Sequence, residues 1–316
     1  FAVPRKIVHP HDYVGDDDVP SAGPEDVHGT PCAGVALAAS NGIGIVGVAP
    51  DCGFMPVRIP FSSSFQNFAG YFRDAARHAR VLSCSWAPEP SNAAICDDLA
   101  RVLTELAKTG GPGGRGCVIV FAAGNYNCPV QDLTSAGGRD WFDPATNMKR
   151  RTTGKIVNGL AAHPEVVCVS ACTSLNRRPA YSNWGREVMI AAPSNNFVPG
   201  DRGALSPGLR VVATANRRGL GLLGNPSGYT NEFGGTSCSA ALVAGVAALV
   251  ISANPSLTSA EVREILRTTA DKIVDPVADP RGVYVHGRCD WFGYGKVNAA
   301  AAVQMAKQKA APAAVG

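Results

Sequence analysis

Three observations predict an α/β fold with a mostly parallel sheet covered on both faces by helices. Short apolar runs such as Val118-Ile119-Val120-Phe121-Ala122-Ala123 and Val166-Val167-Cys168-Val169-Ser170-Ala171 read as strands buried on both faces. Between such runs lie longer segments with helical spacing, for example Phe65, Phe68, Ala69, Phe72, Ala75 and Ala76. The two patterns alternate along the chain, which is the order of a parallel sheet built from strand–helix–strand units. With 316 residues, 46% apolar and 17% charged, the chain is long enough for one large core, and 35 Gly and 23 Pro indicate many loops.

In chain order, residues 1–27 show little periodicity beyond an extended Lys6-Ile7-Val8. Asp12-Tyr13-Val14-Gly15-Asp16-Asp17-Asp18 reads as an exposed acidic loop without the Asx-Gly pattern of an EF-hand. Small residues over 28–40 suit a closely packed helix, 54–59 a strand, 65–80 a helix and 80–86 a strand. A helix over 93–108 and a glycine-rich loop lead into the apolar strand that ends in Gly124-Asn125. Residues 131–155 are polar and loop-like, the pattern of an insertion. Further strands are predicted at 166–171, 188–191 and 209–214. Thr258-Ser259-Ala260-Glu261 is a capping box opening a helix to Thr269.

The stretch Gly234-Gly235-Thr236-Ser237-Cys238-Ser239-Ala240 opens an uncharged, small-residue run that continues to Val250. A helix of this composition is buried on all sides. A hydroxyl in its first turn sits among unpaired N–H groups at the positive end of the helix dipole, where an oxyanion is stabilised. The ordinary reading is a helix capped by Ser237 or Thr236. His28-Gly29-Thr30-Pro31-Cys32-Ala33-Gly34 likewise places a reactive side chain before a small-residue run.

These three stretches, in the order HGTxCAG, AAGN and GTSxSAxxxAG, resemble the subtilisin-like serine proteases, the subtilases. The resemblance extends from the start of the chain to about Val303. It implies a three-layer subtilisin-like fold and a serine endopeptidase working through an acyl-enzyme, with Ser237 as nucleophile, His28 as general base and the Asn125 side chain in the oxyanion hole. Ser85, Trp86 and Ala87, together with Ala123 and Gly124, stand where the family binds the substrate backbone. SCSW followed by Pro88, and the Cys in HGTxCAG, are similar to the kexin-like branch. The competing readings are a core aromatic for Trp86 and a simple turn for Asn125.

Two places depart from the family pattern. Ala241 replaces the usual Pro after the serine motif. The triad Asp, normally at the end of a strand a few tens of residues before the His, has no D-[ST]-G counterpart among the 27 residues before His28. Asp12, Asp16, Asp17, Asp18 and Asp26 lie in loop-like sequence, so the Asp strand is expected upstream of Phe1. The expected organisation is a catalytic domain over 1–306 lacking that strand, followed by an Ala/Pro-rich tail over 307–316.

The net charge of +4 and the short basic run Lys149-Arg150-Arg151 give no footprint for nucleic acid. No apolar run reaches bilayer length by eye. Ten cysteines without zinc-site spacing suit an exported, secreted protein. Cys32 near His28 and Cys238 beside Ser237 predict a free thiol at the site. The chemistry requires no cofactor, and the family's acidic loop allows structural calcium. The implied partners are polypeptide substrates and a propeptide, and the expected state is a monomer. The alternatives are a catalytically silent binding module of the same fold and an esterase; the esterase fold wants G-x-S-x-G with the Ser first, which fails here.

Overall fold

The computed structural model describes residues 4–60, 64–134, 137–144, 146–198, 211–220 and 223–310. Its helices are α1 (Gly29–Leu37), α2 (Phe65–Ala75), α3 (Asp97–Thr109), α4 (Gly235–Ala253), α5 (Ser259–Thr268) and α6 (Ala299–Ala310). They enclose a four-stranded parallel sheet in the order Ile190–Pro193, Val166–Cys172, Val118–Ala122, Val81–Cys84. Every residue of the two inner strands is buried, which explains their unbroken apolar sequence.

Strand alternation feeds two cores. Ile119, Phe121 and Ala123 pack with Phe68 and Phe72 of α2 and Leu99, Val102 and Leu103 of α3. Val118, Val120 and Ala122 face the opposite way, toward Val243, Val246 and Val250 of α4, Val262 and Ile265 of α5, and Ala302 and Ala306 of α6. The result is the predicted three layers.

The central helix corrects one expectation. Among the described residues α4 is the one helix long and apolar enough to cross a membrane by length and composition. Its Ser, Gly and Thr residues interrupt the apolar run in the sequence. Its apolar surface is taken up inside the fold, since Val243, Val246, Ala247 and Val250 are fully buried. Gly245 allows α1 to cross it closely: a Cβ there would lie 2.8 Å from the Ala36 carbonyl oxygen.

Other boundaries shift for local reasons. Asn92–Ala93 pairs in parallel with Val157 and Asn158, so α3 begins only at Asp97, with Asp97 and Asp98 in the first turn where the dipole favours carboxylates. The capping box at α5 forms as read: Thr258 accepts from the Glu261 N–H, and Glu261 accepts from the Thr258 N–H at 2.8 Å. α6 runs to Ala310, and residues 311–316 lie outside the described residues.

The loop-like reading of 131–155 is also corrected. Gln131–Asp132 pairs antiparallel with Ile156 and Val157, and Arg139–Phe142 forms an antiparallel hairpin with Lys149–Thr152. Its polar sequence pairs across the strands: Asp140 opposes Arg151 at 2.6 Å and also meets Lys149 at 2.7 Å. A second antiparallel pair, Val211–Thr214 with Tyr229–Phe233, has a partner strand that the sequence did not announce.

His11–Asp12 pairs in parallel with Val57–Arg58, extended by a bridge between Ile7 and Phe54. Among the described residues this pair is not hydrogen-bonded to the four-stranded sheet, and Val81–Cys84 has a partner on one edge only. All ten cysteines are unpaired.

Candidate active site

A pocket of about 200 Å³ lies where the chain leaves Val81–Cys84 and Val118–Ala122 and enters α4. Ser85, Trp86, Ala87, Ala122 and Gly124 line it, with His28, Asn125, Tyr126, Thr236 and Ser237. The position follows from topology, because the carboxyl ends of parallel strands leave a crevice there.

Ser237 sits in the first turn of α4 and is buried. The donors ahead of it are taken: the Gly235 N–H donates to Asn195 Oδ1 at 3.1 Å and the Thr236 N–H to Asn125 Oδ1 at 2.8 Å. The Ser237 N–H has no acceptor among the described residues and lies at the positive end of the helix. Ser237 Oγ donates to the Ser85 carbonyl at 3.0 Å, and Ser85 Oγ donates back to the Ser237 carbonyl at 2.9 Å.

Asn125 is oriented by two donors. Its Oδ1 accepts from the Thr236 N–H and from Thr236 Oγ1 at 2.9 Å, which turns Nδ2 away from Thr236. Gly235 permits this approach: its φ is +71°, and a Cβ would come within 2.9 Å of Asn125 Nδ2. Ser194 Oγ donates to the Gly235 carbonyl at 2.8 Å and completes the cradle. Asn183 fixes the next turn, donating to the Ala123 carbonyl at 3.0 Å and accepting from the Tyr126 N–H at 3.0 Å and the Cys128 N–H at 3.1 Å. Asn183 escaped the sequence reading; its signal was a polar residue in a segment that folds into the core.

His28 precedes α1 and is exposed. Its ring nitrogens lie 3.7 and 4.0 Å from Cys32 Sγ, and its edge meets Phe233 at 5.9 Å. The charge of Cys32 raises the His28 pKa above the ordinary histidine value, and desolvation partly opposes it. Among the described residues no hydrogen bond joins His28 to Ser237, and no carboxylate bonds to His28. The aspartates before it are engaged elsewhere. Asp12 accepts from the Val14 and Gly15 N–H groups and from Arg58 at 3.1 Å, while Asp26 meets Arg58 at 2.8 Å.

The pocket gathers His28, Asn125 and Ser237 with Ser85, Trp86, Ala87 and Gly124. Ala123 is the exception. It is fully buried beside Phe121, because alternation points Ala122 one way and Ala123 the other. Ala122, Thr236 and Tyr126 line the pocket and were not anticipated. Trp86 serves both readings, reaching the pocket while stacking on Phe68 at 5.2 Å and meeting Phe121 edge-on at 5.0 Å.

The acidic loop does not fit a cation. Both Asp12 oxygens are taken, Asp17 accepts from the Val19 N–H and Asp18 pairs with His11. Among the described residues no group of three or more His, Cys, Asp or Glu side chains is placed to hold a metal.

A sheet of parallel strands between helical layers, with a hydroxyl at the start of the buried central helix, has clear relatives. The subtilase family profile matches residues 7–295. A calcium-dependent protease of Nostoc sp. is 36% identical over 320 residues, covering 97% of this chain and 44% of that protein. Subtilisin E of Bacillus subtilis is 26% identical over 277 residues, covering 88% of this chain and 56% of that protein. Among solved structures, a serine protease of Aeromonas sobria superposes with a TM-score of 0.74 at 19% identity, covering 96% of this chain and 57% of that one. A lanthipeptide protease superposes with a TM-score of 0.67 at 23% identity, covering 95% and 82%. The chain belongs to the subtilase family of serine proteases and has the subtilisin-like fold. It spans less than half the length of the Nostoc relative.

Proposed function

We propose that residues 1–306 form the catalytic domain of a serine endopeptidase. Ser237 is the nucleophile and His28 its general base, and the oxyanion is received by Asn125 Nδ2 and the Ser237 N–H. One observation carries the reading: two bonds from Thr236 turn the Asn125 amide so that its donor end serves the pocket holding Ser237. The missing part is a carboxylate for His28. Among the described residues Val81–Cys84 has a partner on one edge only and His11–Asp12 with Val57–Arg58 forms a separate pair, so one more parallel strand between them would join the two. A strand ending in D-[ST]-G at that place brings its Asp to His28, the third role that subtilases fill in the order Asp, His, Ser.

Ser237 Oγ then attacks the scissile carbonyl as His28 takes its proton. The acyl-enzyme forms as the peptide amine leaves with that proton, and water releases the acyl group. His28 has to come within hydrogen-bond reach of Ser237 for this, and a carboxylate partner fixes the ring and its tautomer. No step needs a metal, and the residues of the acidic loop give no basis for assigning to this chain the calcium dependence in the relative's name. Polypeptide substrates, a propeptide, a monomeric state and an extracellular site of action belong to the same proposal; the unpaired cysteines lend the last of these no support.

A second reading, a binding module of the same fold without catalysis, is favoured by the absence of a Ser237–His28 bond. A fluorophosphonate probe separates the two. Labelling of the full-length protein that disappears in Ser237→Ala, together with loss of casein cleavage, is the expected outcome. A folded full-length protein that takes no label is the binding module.

A further inference from the structure

The turn that follows Val118–Ala122 carries Asn125, yet among the described residues no backbone hydrogen bond closes it on itself. Its polar groups bond outward instead. The Gly124 N–H donates to Thr236 Oγ1 at 3.1 Å, and the Asn127 N–H donates to the Tyr181 carbonyl at 2.8 Å. Asn183 takes four more. Its Oδ1 accepts from the Tyr126 and Cys128 N–H groups, its Nδ2 donates to the Ala123 carbonyl, and its own N–H donates to the Gly124 carbonyl at 2.9 Å. Two of these bonds precede Asn125 and two follow it. The orientation of the Asn183 amide is fixed by them, because only its oxygen can receive two N–H donors. Gly124 permits the approach: its φ is +112°, and a Cβ there would lie 2.5 Å from Asn183 Nδ2. Asn183 is buried and does not line the pocket.

The residues beside Asn183 reach the opposite wall. Tyr181 is fully buried and donates from its hydroxyl to the Asn195 carbonyl at 3.0 Å, while Asn195 Oδ1 receives the Gly235 N–H two residues before Ser237. Ser182 Oγ accepts from the Ala171 N–H at 3.1 Å, which ties the segment to the central sheet. One short segment thus braces the turn carrying Asn125 and, through Asn195, the turn carrying Ser237. We propose that Asn183 is a positioning residue for the oxyanion hole: it holds the backbone on both sides of Asn125, so that Nδ2 meets the oxygen that becomes negative in the transition state. Thr236 sets the direction of the Asn125 amide, and Asn183 sets the place of the backbone that carries it. An oxyanion donor has to lie about 2.7–3.1 Å from that oxygen, and a misplacement on the order of 1 Å costs about 10²-fold in rate. This role rests on the endopeptidase reading and adds to it a residue outside the pocket.

The test uses the full-length protein and a chromogenic peptide. Asn183→Asp keeps an acceptor for the Tyr126 and Cys128 N–H groups but sets a carboxylate oxygen against the Ala123 carbonyl. Asn183→Ala removes all three side-chain bonds. kcat is expected to fall about tenfold in the first and about 10²-fold in the second, with KM held. Each is then combined with Asn125→Ala. A residue that acts through Asn125 loses its effect once that amide is gone, so in this background the Asn183 substitutions should change kcat by no more than about twofold. The same fold-loss in both backgrounds, a loss carried by KM, or no loss overturns the positioning role. Thermal melts report folding: should Asn183→Ala not fold, Asn183→Asp decides alone, and failure of both assigns Asn183 to stability and overturns the role as well. Fluorophosphonate labelling of the wild type keeps the two readings apart. A labelled wild type with any of these negative results leaves the endopeptidase reading standing, and a wild type that takes no label and cleaves no peptide overturns both.

Discussion

Around Ser237, side chains from four separate segments bond to one another, whereas the His28 ring has Cys32 Sγ as its one polar neighbour among the described residues. The serine side is assembled where three strands of one four-stranded sheet end and a largely buried helix begins. The histidine side follows the segment that forms a separate two-stranded pair. Ser237, flanked by one continuous sheet and the core helix, is held by several bonds, whereas His28, which follows the separate strand pair, is held by its contact with Cys32.

The largest test of this contrast is to fill the edge. A strand carrying D-[ST]-G and its carboxylate should seat between Val57–Arg58 and Val81–Cys84, on the same chain or added in trans. Residues 1–316 by themselves are expected to be poorly soluble and nearly inactive. Backbone groups left unpaired in a buried sheet cost about 1–3 kcal/mol each, against a total stability of roughly 5–15 kcal/mol. Without the carboxylate His28 is not held in the productive tautomer, a loss on the order of 10⁴ in kcat in other serine proteases, subtilisin among them. Restoring the strand should recover both solubility and rate. Cooperative unfolding and full proteolytic rates from residues 1–316 alone would contradict this and return the search for an acid to Asp12, Asp16, Asp17, Asp18 and Asp26.

A smaller effect is expected on the finished side. Asn125→Ala would remove one of the two proposed oxyanion donors and leave the Ser237 N–H, so kcat should fall by about 10²–10³, the loss known for such a donor in a subtilisin, with KM little changed. Thr236→Val keeps Nδ2 but removes a bond that aims it, and should cost less. Equal falls in kcat for the two variants would mean that the Thr236 hydroxyl matters as much through the bond it accepts from the Gly124 N–H as through orienting Asn125.

The same contrast governs what could be read from sequence. The Gly-Gly-Thr-Ser turn and the Gly-Asn strand end are local, and each residue type answers a local demand: positive φ at Gly235, a donor and acceptor at Thr236. The apolar strands and the α5 capping box were legible for that reason too. The Ala123 side chain faces away from the pocket because a family pattern names a stretch, whereas the pleat decides which of two adjacent side chains faces it. Tyr126 and Trp141 were not legible because their contact joins the pocket to a polar hairpin whose strand signal lies in cross-strand charge pairs. The four-strand order, with Val81–Cys84 paired on one edge among the described residues, concerns pairing between distant segments, which no single stretch encodes.

The smallest effect concerns the loosely held side. Cys32 is the leading cause of the raised His28 pKa, and a general base acts only when neutral. The acid limb of kcat/KM against pH should therefore lie above the ordinary histidine value of about 6.5. Cys32→Ser removes the sulfur that raises the His28 pKa while keeping a small polar group, so His28 should lose its proton more readily and the limb should move to lower pH. Linkage gives a companion sign. A folded pKa above the unfolded one stabilises the fold below the unfolded value, and that contribution is lost as pH rises through the raised pKa. Cys32→Ser should therefore lower stability slightly at acid pH and leave it unchanged at alkaline pH, as read by thermal melts across the range. The pH profile of the full-length enzyme and the melts must agree. A limb that stays in place in the variant would mean that His28 has already left Cys32 for Ser237 in the working enzyme, and that the sulfur contact belongs to the state with the sheet edge unfilled.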